Sequence, residues 1–416
     1  MDLYDFQTQA ITNLLNGKHI IVAGCGSGKT AMALVWAQKK SKETGKKKLL
    51  VVTTASKSKT GDFEKEIDQW CGPAFKRSLK TFTVLSWHKL KKWVDDNWGY
   101  INEYIVIFDE IQRGSAGVSS GMGKAFLKIT KVDGDWAGFT GTPGDTWLKF
   151  YPYFVACGLE RNKTGFLDTY AIRQVYKGYP EIVGWNHEDK LADMWRRISY
   201  APDISKVMSE LPSESHKVIT FKKPSTYNKI LKTRLNEEGE FLDTAGALCA
   251  ELRRQCFTKD KQEWVRDFVQ DLESGCVFFY NFIKTGDELE QIINKSLPKG
   301  AKVWRIDGRH HEIPTAETIG EHDMVLCQWQ SGSEALNLQF LHYWVSVEAC
   351  YSYSTSIQAR GRIRRIGQKY PQTYWYLKTE HTIEDAVYEA LKTKSDFAED
   401  KWCLSNNIEV KEEGNV

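Results

Sequence analysis

The sequence predicts an α/β protein of two tandem domains, each a mostly parallel sheet flanked by helices, with helical insertions between the parts that carry its motifs. Three observations lead there. The chain has 416 residues, more than one hydrophobic core ordinarily serves and enough for two. Short apolar runs alternate with helix-period patterns in two separate sets, as parallel strands joined by helical crossovers require. The runs are apolar along their length, which suits strands covered on both faces.

In the first set the runs lie near 19–23, 49–53, 82–85, 104–108 and 136–139. In the second they are CVFFY (276–280), KVWRI (302–306), MVLCQ (324–328), HYWVSV (342–347) and TYWYL (373–377). Residues 144–274 read as mixed and mainly helical, with patterns such as KLADMWRRI (190–198) and AGALCAELRRQ (245–255). The polar, loop-like stretch LPSESHK (211–217) sets the boundary, giving domains 1–220 and 221–416.

Composition narrows the function classes. A net charge of only +3 means that any affinity for a polyanion comes from a local stripe and not from the whole surface. No apolar run reaches 18 residues, and the acidic start MDLYDFQ lacks the layout of a signal peptide, so a cytoplasmic protein with no membrane partner is expected. Nine cysteines are scattered without a CxxC pair, which argues against a structural zinc site or a disulfide framework. The Lys46–Lys48 run follows a helix end at Gly45 and reads as a solvated C-terminal cluster.

The stretch HIIVAGCGSGKTAMALVWAQ (19–38) passes from an apolar strand through a glycine-rich turn into a helix. This is the recipe of a P-loop: backbone N–H groups of Gly26, Ser27, Gly28 and Lys29 wrap a phosphate, Lys29 reaches the β/γ oxygens and Thr30 offers its hydroxyl to Mg²⁺. Gly24 lies at the turn's start, and Ala23 stands where the usual pattern has its first glycine. A second carboxylate site comes from EYIVIFDEIQR (103–113), where Asp109 and Glu110 end an apolar strand, the position at which open α/β sheets place their ligands. Asp109 would hold Mg²⁺ through water, and Glu110 would orient and deprotonate the attacking water. Finally, QARGRIRRIGQ (358–368) puts four arginines into six positions. On a helix, Gln358, Arg362 and Arg365 fall at roughly 0°, 40° and −20°, one narrow face suited to a triphosphate, with Arg360 and Arg364 pointing away.

Taken together these segments resemble superfamily 2 helicases. Residues 23–30, Asp-Glu-x-Gln at 109–112, TGTP at 140–143 and Gln-x-x-Gly-Arg-x-x-Arg at 358–365 are similar to motifs I, II, III and VI, in that order. RIRRIGQ, with NLQ at 337–339 before it, most resembles the Swi/Snf branch, and the compact length resembles the versions that bacteriophages encode. The resemblance covers Phe6 to about Leu391 and implies two RecA-like lobes that hydrolyse ATP with Mg²⁺ at their interface.

Further roles follow from the resemblance alone. Gln7 in YDFQTQAI corresponds to the Q motif glutamine that reads adenine. VVTTASKSKTGDF (51–63) and VLSWHKL (84–90) resemble motifs Ia and Ib, making Thr54, Ser56, Lys57 and Ser86 candidates for nucleic-acid backbone contacts. GSEALNLQ (332–339) resembles motif V, with Gly332 and Glu334 near the interlobe cleft and Ala335 in place of a glycine. Gln112 stands where the family has histidine and can still bridge the lobes; Thr140 and Thr142 would couple the ATP site to the strand. Arg362 and Arg365 would act as arginine fingers over the γ-phosphate.

The expected function is an ATP-dependent DNA translocase or helicase, acting as a monomer on duplex or branched DNA in preference to single strands. Its setting would be phage replication or recombination in the host cytoplasm, with proteins of those processes as partners. An RNA helicase and a non-cycling, nucleotide-gated scaffold remain alternatives.

Overall fold

The computed structural model describes residues 2–406 and 408, apart from 56, 116–119, 133, 177–178, 311 and 333–335. The chain divides into two compact units, Met1–Met208 and Ser209–Val416.

In the first unit five strands fall on the apolar runs: β1 (Ile20–Val22), β2 (Lys48–Thr53), β3 (Thr81–Ser86), β4 (Tyr104–Asp109) and β5 (Trp136–Thr140). Three further strands lay outside the expected set. β6 (Ala171–Tyr176) and β7 (Tyr179–Trp185) form a separate antiparallel hairpin, and β8 (Ser199–Tyr200) adds two residues beside β1. The main sheet runs β3-β2-β4-β5-β1-β8 and is parallel throughout. Side chains alternate across it, which gives the unit two cores. Leu50, Val52, Val106 and Phe108 face the helices Trp87–Asn97 and Gly121–Val132 through Trp87, Leu90 and Phe126. Leu49, Val51, Ile105 and Ile107 face the other way, toward Met32, Leu34 and Trp36 of the helix Lys29–Thr44 and toward Ala10 and Ile11 near the N-terminus.

Register decides where chemistry can sit. Val22 pairs with Thr140 and Asp109 with Phe139, so the carboxyl ends of β1, β5 and β4 finish on one edge, with β5 between the glycine-loop strand and the acidic strand.

The second unit holds β9 (Glu214–Phe221), β10 (Cys276–Tyr280), β11 (Val303–Ile306), β12 (Met324–Gln328), β13 (Tyr343–Ser346) and β14 (Gln372–Thr379). These make a parallel sheet in the order β11-β12-β10-β13-β14-β9. The two parallel six-stranded sheets, each between helices, are the tandem RecA-like α/β architecture that the sequence predicted. The stretch 211–217 was expected to be loop but holds the start of β9, and the division between the units falls before it; the expected boundary at 220/221 would have cut most of β9 from the sheet to which it pairs along its whole length. A third cluster in this unit packs Tyr227 and Ile230 against Leu248, Leu252, Ile383 and Val387. Among the described residues, no helix is long and apolar enough to cross a membrane.

Candidate functional site

The loop after β1 is built by backbone conformation. Gly26 and Gly28 both take φ of 78°, the left-handed region that a side chain resists. Ala23 lies outside that region and its N–H donates to the Thr140 carbonyl at 2.9 Å, so alanine serves there as well as glycine would. Gly28 caps the helix Lys29–Thr44 without a side-chain hydrogen bond, leaving first-turn N–H groups for an anion. Lys29 folds back over the loop, its Nζ donating to the carbonyls of Ala23 (3.0 Å) and Gly24 (3.1 Å). The Ser27 hydroxyl donates to the Gly24 carbonyl at 2.8 Å.

Gln7 braces this loop from outside. It is only 3% exposed; its amide donates to the Ser27 carbonyl and its oxygen accepts from the Tyr4 N–H, each at 3.0 Å. A Cβ on Gly28 would come within 2.4 Å of Gln7 Nε2, so a side chain there would have to push the Gln7 amide aside as well as hold a left-handed conformation. Gln7 was expected to read adenine; the structure gives its side chain a bracing role that the sequence did not suggest. Gly141 packs on the other flank, where a Cβ would lie 3.4 Å from the Ala23 carbonyl.

Asp109 ends β4 almost fully buried. Its Oδ2 accepts from the Thr53 hydroxyl at 2.7 Å and from Lys57 Nζ at 3.2 Å, and its carbonyl accepts from Trp87 Nε1 at 2.9 Å. Burial, the strongest influence, pushes the Asp109 carboxyl up; Lys57, the Thr53 hydroxyl and Lys29 together outweigh it and leave the group below its ordinary value, hence ionised. Lys57 Nζ also donates to Thr30 Oγ1 at 2.8 Å and lies 4.6 Å from the centre of the Phe63 ring. A positive centre therefore already bridges the hydroxyl and the carboxylate expected to hold Mg²⁺, so these donors fit the ion. Among the described residues no three His, Cys, Asp or Glu cluster as metal ligands.

Glu110 adopts φ of 51°, a conformation non-glycine residues seldom hold. Gln112 Nε2 donates to its Oε2 at 2.7 Å, while Gln112 Oε1 is buried without a partner among the described residues. From the same turn the Ser115 hydroxyl lies 3.0 Å from both the Gln112 carbonyl and the Tyr153 hydroxyl, and the Tyr153 hydroxyl donates to the Pro143 carbonyl at 3.0 Å. In that segment Thr140 Oγ1 accepts from the Thr142 N–H at 3.0 Å. Buried Tyr153 thus ties the acidic turn to residues 140–143, a link with no signal in the sequence beyond one aromatic residue among many.

The expected strand-contact residues sort differently. Thr54 and Ser86 are buried, Thr54 Oγ1 accepting from the Lys57 N–H at 3.3 Å, and Lys57 turns its ammonium inward to Thr30 and Asp109. Ser56 lies outside the described residues. The Lys46–Lys48 cluster finds acids: Lys46 with Asp135 at 2.8 Å and Lys48 with Glu103 at 2.6 Å.

In the second unit the arginines divide as the spacing suggested, although the helix does not. The helix Tyr353–Arg360 carries a half-buried Gln358 and stops at Gly361. Turns follow, in which the Arg362 carbonyl accepts from the Leu338 N–H at 3.2 Å and Ile363 is buried in the core. The single helical face proposed for Gln358, Arg362 and Arg365 is therefore corrected. Arg360 and Arg364 approach Glu214 on β9, at 3.6 and 3.2 Å, and Arg360 lies over the Tyr374 ring. Arg362 and Arg365 instead reach the 336–337 segment, through the Leu336 carbonyl (3.4 Å) and Asn337 Oδ1 (3.2 Å). Gly332 closes the short helix Trp329–Gly332, and Glu334 lies outside the described residues.

No protein-family model and no curated protein matches the sequence. Among solved structures, the chain is similar to the SWI2/SNF2 ATPase core of Sulfolobus solfataricus in complex with dsDNA. The identity is 13%, the TM-score is 0.44, and the match covers 95% of this chain and 91% of that one.

Proposed function

We propose that the chain is an ATP-driven DNA translocase of the Swi/Snf-like, superfamily 2 type. The observation that carries this reading is the meeting of Lys29, Thr30, Asp109 and Glu110 at one edge of the first sheet, with a cation bridging Thr30 and Asp109.

The residues divide the work by their surroundings. The left-handed loop presents the N–H groups of Gly26 to Thr30 to the triphosphate, and Lys29 exchanges its two carbonyl partners for phosphate oxygens. Mg²⁺ held by Thr30 and Asp109 would neutralise phosphate charge. Glu110, fixed by Gln112, orients the attacking water and takes its proton. Arg362 and Arg365 of the second unit stabilise the charge that develops on the transferred phosphoryl group, whereas Arg360 and Arg364 are occupied by Glu214. The Ser115–Tyr153–Pro143 link passes changes at the acidic turn to Thr140 and Thr142.

Duplex or branched DNA is the proposed track, from the resemblance of residues 337–339 and 362–368 to the Swi/Snf branch. ATP hydrolysis measured without polymer, with DNA and with RNA tests the reading. Stimulation by RNA alone would assign the RNA-helicase alternative, and tight ATP binding without turnover under any condition would assign the scaffold.

A further inference from the structure

The two arginines to which the proposed function gives no phosphate meet a single carboxylate. Glu214, the half-buried first residue of β9, brings its Oε2 to 3.2 Å from Arg364 Nη1 and 3.6 Å from Arg360 Nη2. Two residues along the strand, His216 lies opposite Tyr374 of β14 and stacks on its ring, with centres 4.9 Å apart and planes at 10°. The Arg360 guanidinium lies over that same ring at 5.2 Å, and its Nη2 is 3.4 Å from His216 Nε2. His216 Nδ1 is 3.1 Å from the Tyr376 hydroxyl. Burial, and after it Arg360, holds the imidazole below its ordinary pKa, so the neutral ring accepts from Arg360 at Nε2 and donates to Tyr376 from Nδ1.

We propose that Glu214 is a positioning residue for ATP hydrolysis: it anchors Arg360 and Arg364 to the edge strand of the second unit and thereby fixes the turn that carries Arg362 and leads into Arg365. The proposal rests on the translocase reading, which gives Arg362 and Arg365 their task. The argument is electrostatic. Four guanidinium groups within six residues repel one another, and in a half-buried setting solvent screens that repulsion less than on an open surface. One carboxylate placed against two of them offsets the repulsion and selects which two turn toward β9. The segment between them is not helical: the Arg362 and Ile363 N–H groups donate to the Ala359 and Arg360 carbonyls, at 3.0 and 3.2 Å, in turns that follow the end of the helix Tyr353–Arg360. Buried Ile363 holds the middle of this turn, and the two anchored arginines hold its ends.

Two measurements on the full chain decide it. First, steady-state ATPase with duplex DNA and binding of a fluorescent ADP are compared for the wild type, Glu214→Gln, Glu214→Asp, the pair Arg360→Ala with Arg364→Ala, and all three alterations together with glutamine at 214. Glu214→Gln should lower kcat by about tenfold with nucleotide affinity unchanged, and Glu214→Asp should recover part of the loss. The triple variant should be no slower than the arginine pair, because all three residues act through one anchor. A wild-type kcat in Glu214→Gln, a matching loss of nucleotide affinity, or losses that multiply in the triple variant overturns the positioning role. Second, amide hydrogen exchange is followed without nucleotide or DNA. In Glu214→Gln, exchange over residues 359–368 should quicken by about threefold or more while the strands of the second unit keep their wild-type rates. Unchanged exchange in that segment, or a rise spread over the whole unit, overturns the anchor. If the wild type hydrolyses no ATP with any polymer, the translocase reading fails while hydrogen exchange still decides whether Glu214 holds the turn.

Discussion

Glu110 and Gln112 show how one residue's geometry depends on a neighbour two positions away. The left-handed conformation at Glu110 costs energy that a well-packed site must offset, and it directs the carboxylate to where Gln112 Nε2 holds it at 2.7 Å. Glu110→Gln should retain ATP binding and lose hydrolysis by about 10²-fold or more, read by fluorescent-nucleotide binding beside steady-state phosphate release. Wild-type hydrolysis by that variant would remove Glu110 from the role of base. Lys29→Ala should abolish turnover, since the ammonium lying across the Ala23 and Gly24 carbonyls disappears. The arginines make a sharper contrast. Arg362→Ala and Arg365→Ala should each lower the rate by about 10³-fold while leaving DNA affinity nearly intact, and Arg364→Ala, which loses its contact with Glu214, should cost far less. Equal losses for all three would favour a diffuse basic patch.

Between elements, the links that matter are those the site's function would have to travel through. Tyr153 lies on the helix Trp147–Ala156, donates to Pro143 and meets Ser115, so it joins two loops at the sheet edge. Tyr153→Phe removes both hydrogen bonds without opening a cavity and should destabilise the protein by about 1 kcal/mol in denaturant unfolding, and it should weaken the stimulation of ATPase by DNA more than the basal rate. A variant with normal stimulation would confine Tyr153 to packing. The same scale shows how far sequence reasoning reaches. β2, β4, β5, β10, β12 and β13 were legible because both of their faces are covered, which writes apolar runs, while β3 and β11, at the sheet edges, are half-buried over their first residues. β9, with the sequence ESHKVITF, lies at a sheet edge with most of its side chains exposed, so its polar residues read as loop. The β6–β7 hairpin carries exposed Ile172, Val175 and Val183 and belongs to neither main sheet, so no buried face wrote a period into it. The glycine loop and the acidic strand end were legible because their chemistry is local. Lys57 was not, because only the parallel pairing of β2 with β4 brings the segment after Thr53 beside Asp109.

For the whole molecule, the residues of the proposed function are divided between the two units. The first carries the glycine loop, Asp109 and Glu110 on one sheet edge, and the second carries arginines that their own surroundings have sorted into a pair spent on Glu214 and a pair directed elsewhere. A chain so divided should bind nucleotide through its first unit and turn it over only when the second takes part, so Arg362→Ala with Arg365→Ala should leave nucleotide affinity unchanged while stopping turnover. With a net charge of only +3, the proposed grip on DNA would have to come from local cations and should weaken steeply with salt. The measurement that bears most directly on the central claim is the steady-state ATPase rate of the wild-type chain, with Glu110→Gln as the blank, in the presence of no polymer, RNA, single-stranded DNA, matched duplex and a fork. The account predicts a low basal rate, little response to RNA and stimulation by duplex and fork above that by single strands; stimulation by RNA alone, or a rate indifferent to every polymer, would contradict it.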